Sequence, residues 1–167
     1  MEKYLFLFIL WLMVGGLAGP SGQDSRPNKS GPRIYRIILP VPDIAQAAKF
    51  YADLFGAEGF RVSAGRHYFD CGGVILALYD PKADGDNTEP RPNLEHVYFA
   101  VNDLEGFYKR AERVGGLSKE VGDAELPMGK IAKRPWGERS FYMQDPFGNP
   151  LCFVDEKSLF TGPQSSE

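Results

Sequence analysis

Hydrophobic and polar residues follow the same pattern twice along the chain. Segments 35–56 and 95–116 each begin with an apolar run of strand type that ends in Val-x-Asp and continue with apolar residues at helical spacing. The two aspartates, Asp43 and Asp103, are 60 positions apart, and Asp43 has the character of a helix N-cap. Glycines follow both apolar stripes, as they do at helix C-termini. The pattern therefore predicts a strand and then a helix in each half.

Short strands separated by turn residues follow each predicted helix. They span residues 60–63, 66–70 and 73–80 in the first half, and 129–133, 140–144 and 151–155 in the second. Before the last of them, Asp145, Pro146 and Gly148 fit a type I turn. The order strand-helix-strand-strand-strand, repeated twice, predicts an α+β fold of two βαβββ modules. Since neither half can cover its own sheet alone, we expect the two to pack together.

The chain termini differ in composition from these modules. Residues 4–19 are apolar and end in small residues, which is typical of a signal peptide and also of a short membrane anchor. A signal peptide would make the protein exported or periplasmic; without one it would be membrane-anchored or cytoplasmic. The predicted organisation is a signal peptide or short anchor (1–19), a flexible linker (20–32), a domain (33–156) made of modules 33–80 and 94–156 with linker 81–93, and a C-terminal tail (157–167).

Composition and charge exclude some function classes. The 167 residues are 43% hydrophobic and carry a net charge of -3, with acidic and basic residues interspersed. Since there is no long basic stripe, we expect no nucleic-acid partner. Contact with a membrane is expected only through the N-terminal segment, if it is not cleaved. The two cysteines, Cys71 and Cys152, have no metal-type spacing, and a disulfide between them is conceivable if the chain is exported.

Several motifs together resemble one known superfamily. They are Val-x-Asp-Ile/Leu followed by Phe50-Tyr51 and Leu54-Phe55-Gly56, Glu95-His96-Val97 before Val101-x-Asp103-Leu104, and Pro135-Trp136-Gly137-x-Arg139 before Phe141-Tyr142 and Asp145-Pro146-x-Gly148-Asn149. This combination resembles the vicinal oxygen chelate superfamily, the glyoxalase, bleomycin-resistance and dioxygenase group, over about residues 33–156. The resemblance implies two βαβββ modules whose mixed sheets form an open cup, with the helices outside. It also allows a homodimer.

The resemblance further implies a divalent metal in the cup, held by His or Glu/Gln side chains from the first and last strands of each module. The corresponding positions in this sequence are Arg36, Ala77, His96 and Cys152. His96 is the only retained ligand position, although His67 might add a ligand from elsewhere. Because a catalytic divalent site generally needs three or more protein ligands, we expect no cofactor and no complete metal site. A divalent metal in an altered ligand set is the alternative.

Strand alternation places Arg36, His96, Tyr98 and Cys152 on cup-facing positions. Together with the aromatic residues Trp136 and Tyr142, these are the predicted substrate-binding residues. They favour a protein that binds a small, anionic or carbonyl-bearing molecule in an apolar cup. The alternatives are a metal-dependent lyase, isomerase or dioxygenase, and a non-enzymatic interaction module.

Two of these residues have further interpretations. One interpretation makes Cys152 a nucleophile with His96 as its base, so both are also the candidate catalytic residues. The alternative for Arg36 is an ion pair at the rim of the cup, with Glu95 or Glu138 as its partner.

Overall fold

A computed structural model describes residues 32–122 and 125–160 of the chain. The elements are β1 (Arg36–Pro40), α1 (Ile44–Phe55), β2 (Phe60–Ser63), β3 (Arg66–Asp70), β4 (Ile75–Tyr79), β5 (Val97–Val101), α2 (Leu104–Val114), β6 (Ala132–Lys133), β7 (Arg139–Gln144) and β8 (Pro150–Asp155), followed by a 3-10 turn (Glu156–Ser158). The predicted signal peptide or anchor, nearly all of linker 20–32 and the end of the tail lie outside the described residues. Neither described helix is long and apolar enough to cross a membrane.

The strands form two four-stranded mixed sheets, in the orders β1-β4-β3-β2 and β5-β8-β7-β6. In each sheet the first strand of the module pairs parallel with the last, and the other pairs are antiparallel. Ile37 pairs with Leu76 in the first sheet as Val97 pairs with Leu151 in the second. The prediction of an α+β fold built from two βαβββ modules is confirmed.

Aspartate side chains begin both helices. The Asp43 carboxylate accepts hydrogen bonds of 2.9 Å from the backbone N–H groups of Ala45 and Gln46, and Asp103 accepts one of 2.9 Å from Gly106. These bonds satisfy N–H groups that have no partner inside the first helical turn. Gly56 ends α1 in the left-handed conformation, at φ 72°. The repeated Val-x-Asp motif therefore sets where each helix starts.

Both modules contribute to one hydrophobic core. The helix-facing sides of the two sheets and the apolar faces of α1 and α2 meet there, including the fully buried Leu39, Leu54, Leu78, Phe141, Leu151 and Phe153. Across the modules, the Phe55 and Phe99 ring centroids are 5.5 Å apart, and Arg110 Nε donates a 2.8 Å hydrogen bond to the Leu54 carbonyl oxygen. Since one face of each sheet is used in this core, the opposite faces are the ones left for a site.

The turn at Asp145 also joins the two modules. Its backbone bond, from Gly148 N to Asp145 O at 3.1 Å, agrees with the predicted type I turn. One carboxylate oxygen of Asp145 accepts hydrogen bonds from the N–H groups of Phe147 and Asn149. The other accepts from Tyr51 Oη on α1 at 3.0 Å and from the Asn149 side chain at 2.7 Å. This buried carboxylate therefore connects the first module to the second.

Candidate functional site

The sheet face of the second module that points away from the helices holds most of the predicted site residues. The register places Tyr98, Cys152 and Tyr142 in one row across β5, β8 and β7, and His96 has the same strand parity as Tyr98. The His96 and Tyr142 ring centroids are 5.0 Å apart, with the rings at 84°. Tyr98 lies 6.2 Å from His96 and 6.4 Å from Tyr142. We call His96, Tyr98 and Tyr142 the aromatic face.

The three rings differ in their exposure to solvent. Tyr98 is 58% exposed, His96 is half-buried and Tyr142 is 4% exposed. Tyr142 therefore forms the floor of the aromatic face, while Tyr98 and His96 present accessible ring surface. A cavity of about 560 Å³ lies beside His96; Asn93 and Gln144 also line it, whereas Tyr98 and Tyr142 do not. The arrangement combines apolar ring surface with a few polar groups, which is typical of small-molecule sites.

Cys152 is fully buried beneath the aromatic face. It packs with Tyr142 and Val154, and Met128 covers this small cluster. Burial raises the pKa of the Cys152 thiol to about 12, although Tyr142 and Ser140 partly oppose the shift. The thiol is thus protonated at neutral pH, whereas the nucleophilic form of cysteine is the thiolate. No hydrogen bond joins Cys152 to His96 in the described chain, so the geometry gives no support to a Cys–His catalytic pair.

A disulfide between Cys71 and Cys152, conceivable from the sequence only if the chain is exported, is not formed, and both cysteines are free. Cys71 lies between β3 and β4 and packs against the common core. Cys152 faces the opposite side of the second sheet, away from that core. Two sulfur atoms on opposite faces of different sheets cannot bond without moving the backbone.

Arg134 is a site residue that the sequence reasoning missed. Its side chain is 3% exposed, and its guanidinium carbon lies 5.0 Å from the Tyr142 ring centroid. Its Nε donates to Ser140 Oγ at 3.1 Å, and its Nη2 donates to the carbonyl oxygens of Met128, Lys130 and Ser140 at 2.9 to 3.1 Å. The residue precedes the Pro135-Trp136-Gly137 motif, but no periodic pattern marks it as buried. Arg134 therefore supports the floor of the aromatic face with a positive charge.

Arg36 lies in the other sheet and contacts different aromatic rings. Its guanidinium carbon is 5.1 Å from the Tyr35 ring centroid and 4.9 Å from that of Tyr68. Among the described residues, no hydrogen bond, ion pair or aromatic contact joins it to the aromatic face. The alternative prediction of an ion pair with Glu95 or Glu138 is wrong for this part of the chain. The Glu138 carboxylate instead accepts hydrogen bonds from Trp136 Nε1 and from the backbone N–H of Phe160.

Two other predicted residues lie away from the aromatic face. Trp136 is 47% exposed and its recorded contact is the 2.8 Å hydrogen bond to Glu138. His67 pairs with Leu78 and stacks near Phe69 on the helix side of the first sheet, at 5.0 Å between centroids. The prediction that His67 might supply a third metal ligand is wrong, because strand alternation turns it away from the open face.

The four positions that correspond to the family's metal ligands are a poor match for a divalent ion. The register confirms that Ala77 and Cys152 are equivalent. Ala77 follows Leu76, which pairs with Ile37, and Cys152 follows Leu151, which pairs with Val97. The donor set is therefore a methyl group, a guanidinium, an imidazole and a buried thiol. Over residues 32–122 and 125–160, no three His, Cys, Asp or Glu side chains are grouped so that they could hold a metal. These residues do not fit a catalytic divalent metal.

Comparisons with known proteins agree with this architecture. The model of the Glyoxalase/Bleomycin resistance protein/Dioxygenase superfamily matches residues 33–153. The chain is 33% identical over 92 residues to the anthracycline biosynthesis protein DauV of Streptomyces sp. (strain C5), which covers 47% of this chain and 34% of DauV. It is 34% identical over 77 residues to the metallothiol transferase FosB of Staphylococcus haemolyticus (strain JCSC1435), which covers 45% of this chain and 55% of FosB. These matches thus span about a third and about half of the relatives' lengths.

Solved structures share the fold at low sequence identity. A glyoxalase-related enzyme from Fulvimarina pelagi has a TM-score of 0.60 and 19% identity, covering 80% of this chain and 95% of that chain. A bleomycin-binding protein complexed with bleomycin has a TM-score of 0.52 and 22% identity, covering 75% and 98%. At these identities the likeness concerns the fold alone. Because the family model spans most of the sequence, the chain belongs to the glyoxalase, bleomycin resistance protein and dioxygenase superfamily.

Proposed function

We propose that this chain binds a small aromatic molecule on its aromatic face and does so without a catalytic metal. One observation carries the proposal. The sheet face that holds His96, Tyr98 and Tyr142 presents accessible rings, while three of the four family ligand positions carry groups unsuited to a divalent ion. Rings in this arrangement can stack on a planar ligand and exclude water from it.

The polar groups around the aromatic face favour an anionic or carbonyl-bearing ligand. The half-buried His96 ring can donate a hydrogen bond to an oxygen atom of a ligand. Arg134 places a positive charge behind Tyr142, and no carboxylate pairs with it among the described residues. A fixed charge in a partly desolvated setting interacts more strongly than it would in water. The superfamily also includes a protein that was solved in complex with bleomycin, which agrees with small-molecule binding.

Calorimetric titration with 2-naphthamide, a neutral planar probe, tests this function. We expect one molecule per chain to bind, and Tyr98→Ala to weaken binding at least about tenfold through the loss of stacking. Phe160→Ala is the matched control, because Phe160 is 62% exposed but follows the last strand and lies outside the aromatic face. Equal affinity in the wild type and in Tyr98→Ala would contradict the assignment of the aromatic face.

A metal-dependent enzyme is the second candidate. His96 keeps a family ligand position, and the FosB relatives are named metallothiol transferases. Elemental analysis of the purified protein separates the two candidates. Stoichiometric zinc, manganese, iron or nickel would favour this second function, whereas a substoichiometric content favours metal-free binding.

We also propose that the chain forms a homodimer. Strand β5 lies at an edge of its sheet, where unpaired backbone groups are open to a second chain, whereas the Ile38 and Pro40 carbonyl oxygens of β1 already accept hydrogen bonds from Asn93 and Asn149. Light scattering during size-exclusion chromatography tests this assembly. A mass of two chains is expected, and a single-chain mass at micromolar concentration would contradict it.

A further inference from the structure

Arg36 is a cation on β1 whose hydrogen-bonding capacity is not used within the described chain. Its Nε is buried and has no hydrogen-bond acceptor. No ion pair of Arg36 occurs in residues 32–122 and 125–160. Asp70 lies two strands away in the same register row, beyond Ile75, and its carboxylate accepts a 2.8 Å hydrogen bond from Gly73 N. A buried charged donor without an acceptor is unfavourable, and because Arg36 as a whole is only half-buried, an acceptor that approaches the open side of its guanidinium would relieve this cost.

Other arginines in the structure have evident structural partners. Arg66 pairs with Asp84 at 2.7 Å, and Arg139 pairs with both Glu105 and Asp155. Arg134 is buried but satisfied by hydroxyl and carbonyl oxygens. Arg36 differs, because its recorded contacts are the faces of two aromatic rings. Ring contacts restrain a guanidinium and leave the hydrogen bonds of its N–H groups unmade.

The surroundings of Arg36 suit an apolar molecule with one acidic group. Ile38 is 45% exposed and Phe60 is 52% exposed, and both share the open face of the first sheet with Tyr68. A guanidinium has the fork geometry that matches carboxylate and sulfonate oxygens. We propose that Arg36, held by Tyr35 and Tyr68, binds the carboxylate or sulfonate of a small aromatic acid. This anion site goes beyond the aromatic face, because it lies on the first sheet.

The position of Arg36 in the repeat gives the proposal a physical rationale. Arg36 precedes Ile37 on β1 as His96 precedes Val97 on β5. The side chain at this position in the first module supplies a permanent positive charge. An acidic ligand group would then contact the guanidinium directly.

Nuclear magnetic resonance of the arginine Nε–H groups tests the proposal at the atom concerned. We would titrate the full chain with 2-naphthoate and, in parallel, with 2-naphthamide, which has the same rings and no charge. The Arg36 Nε–H resonance, assigned by its absence in Arg36→Met, should shift and saturate at one 2-naphthoate per chain. Calorimetry with Tyr98→Ala, which lacks the stacking ring of the aromatic face, should show that the carboxylate binds at least about tenfold more tightly than the amide.

Substitutions distinguish this site from general charge effects. Arg36→Met should abolish the preference for the carboxylate, whereas Arg61→Met should keep it, because Arg61 lies on β2 and donates to Ala64 O. If the amide binds and the carboxylate preference survives Arg36→Met, the anion site is wrong while the proposed function stands. If Tyr98→Ala leaves the affinity for the amide unchanged, while the preference for the carboxylate is lost in Arg36→Met, the proposed function fails and the anion site stands. The Arg36 Nε–H resonance could also shift on dilution of the protein and not on addition of 2-naphthoate. That result would mean that Arg36 contacts a second copy of the chain, and it would overturn the proposal.

Discussion

Replacement of Tyr51 by Phe tests how the two modules are held together. The substitution removes one oxygen atom and keeps the ring, which is fully buried against Phe50, Phe55 and Phe69. The lost contact is the 3.0 Å hydrogen bond to the buried carboxylate of Asp145. No cavity larger than a hydroxyl group is created, so the change in stability reports the hydrogen bond.

The expected loss of unfolding free energy is about 2 kcal/mol. Hydrogen bonds to charged groups contribute about 1.5 to 3 kcal/mol. We take the lower half of that range because Asp145 keeps its bonds from Phe147 N, Asn149 N and the Asn149 side chain. For a domain of this size the loss corresponds to a fall in Tm of roughly 6–10 °C.

Urea unfolding at neutral pH, followed by circular dichroism, measures this loss. The midpoint should fall with an unchanged m value, because the surface exposed on unfolding is the same. Tyr108→Phe is the matched control on α2, since the Tyr108 hydroxyl accepts a hydrogen bond only from the exposed Lys130 ammonium, at 3.2 Å. The control should lose less than about 0.5 kcal/mol. A loss below about 0.5 kcal/mol in Tyr51→Phe would refute the role given to Asp145.

The stability of the wild type and of Tyr51→Phe should also depend differently on pH. Burial, together with the Asp145 charge, raises the pKa of Tyr51 well above its usual value. In the unfolded chain a tyrosine releases its proton near pH 10, so the wild type loses stability as pH rises above about 10. Tyr51→Phe lacks this proton. The stability difference between the two should therefore be largest at neutral pH and shrink by pH 10.5; a constant difference would contradict the linkage.

Three further substitutions or labelling experiments follow from the structure. Arg134→Met should destabilise by about 2–4 kcal/mol in urea unfolding, because the buried Ser140 carbonyl and the partly buried Met128 and Lys130 carbonyls lose their donor. Arg134→Lys should not restore the loss, and a loss below about 1 kcal/mol in Arg134→Met would contradict this role. With Ellman's reagent at pH 8, Cys152 should react only at the rate of global unfolding, because its thiol is fully buried. A faster phase of the reaction that disappears in Cys152→Ala would show that the reagent reaches this thiol in the folded protein. Gly59→Ala should destabilise the protein by at least about 2 kcal/mol, and by more than Gly72→Ala. Both glycines have positive φ, but only a Cβ at position 59 would meet a carbonyl oxygen, that of Tyr68 at 2.6 Å. Equal losses of stability in the two glycine variants would show that the backbone moves to relieve the contact with the Tyr68 carbonyl oxygen, and would contradict the prediction.

The sequence pattern predicted the modules because their signals are local. The aspartate caps and helical stripes are decided within a few residues, and the duplicated order then determined the sheet topology. Alternation also placed Tyr98 and Cys152 on one face correctly, since parity is kept along a strand and across its partners. The same rule applied to β3 would have rejected His67, which shares the parity of the core residue Phe69.

Other features of the site depend on contacts that no periodicity encodes. Alternation along a strand does not say which residues of two different sheets will meet, so the sequence could not show that Arg36 and His96 belong to separate clusters. Arg134 is buried by bonds to carbonyl oxygens of an irregular segment. The turn at Asp145 was predicted from its own residues, but its bond to Tyr51 joins positions 94 residues apart. These long-range contacts became visible only in the folded chain.

Calorimetric titration of the chelator-dialysed protein with 2-naphthamide tests the central claim most directly. If the aromatic face binds its ligand without a metal, the dialysed protein should bind one probe per chain with an affinity within about twofold of the untreated protein. Addition of zinc or manganese should then leave the affinity unchanged, because the side chains at the family's ligand positions do not fit a divalent ion. Loss of binding after dialysis, with recovery on addition of one equivalent of either metal, would contradict the account.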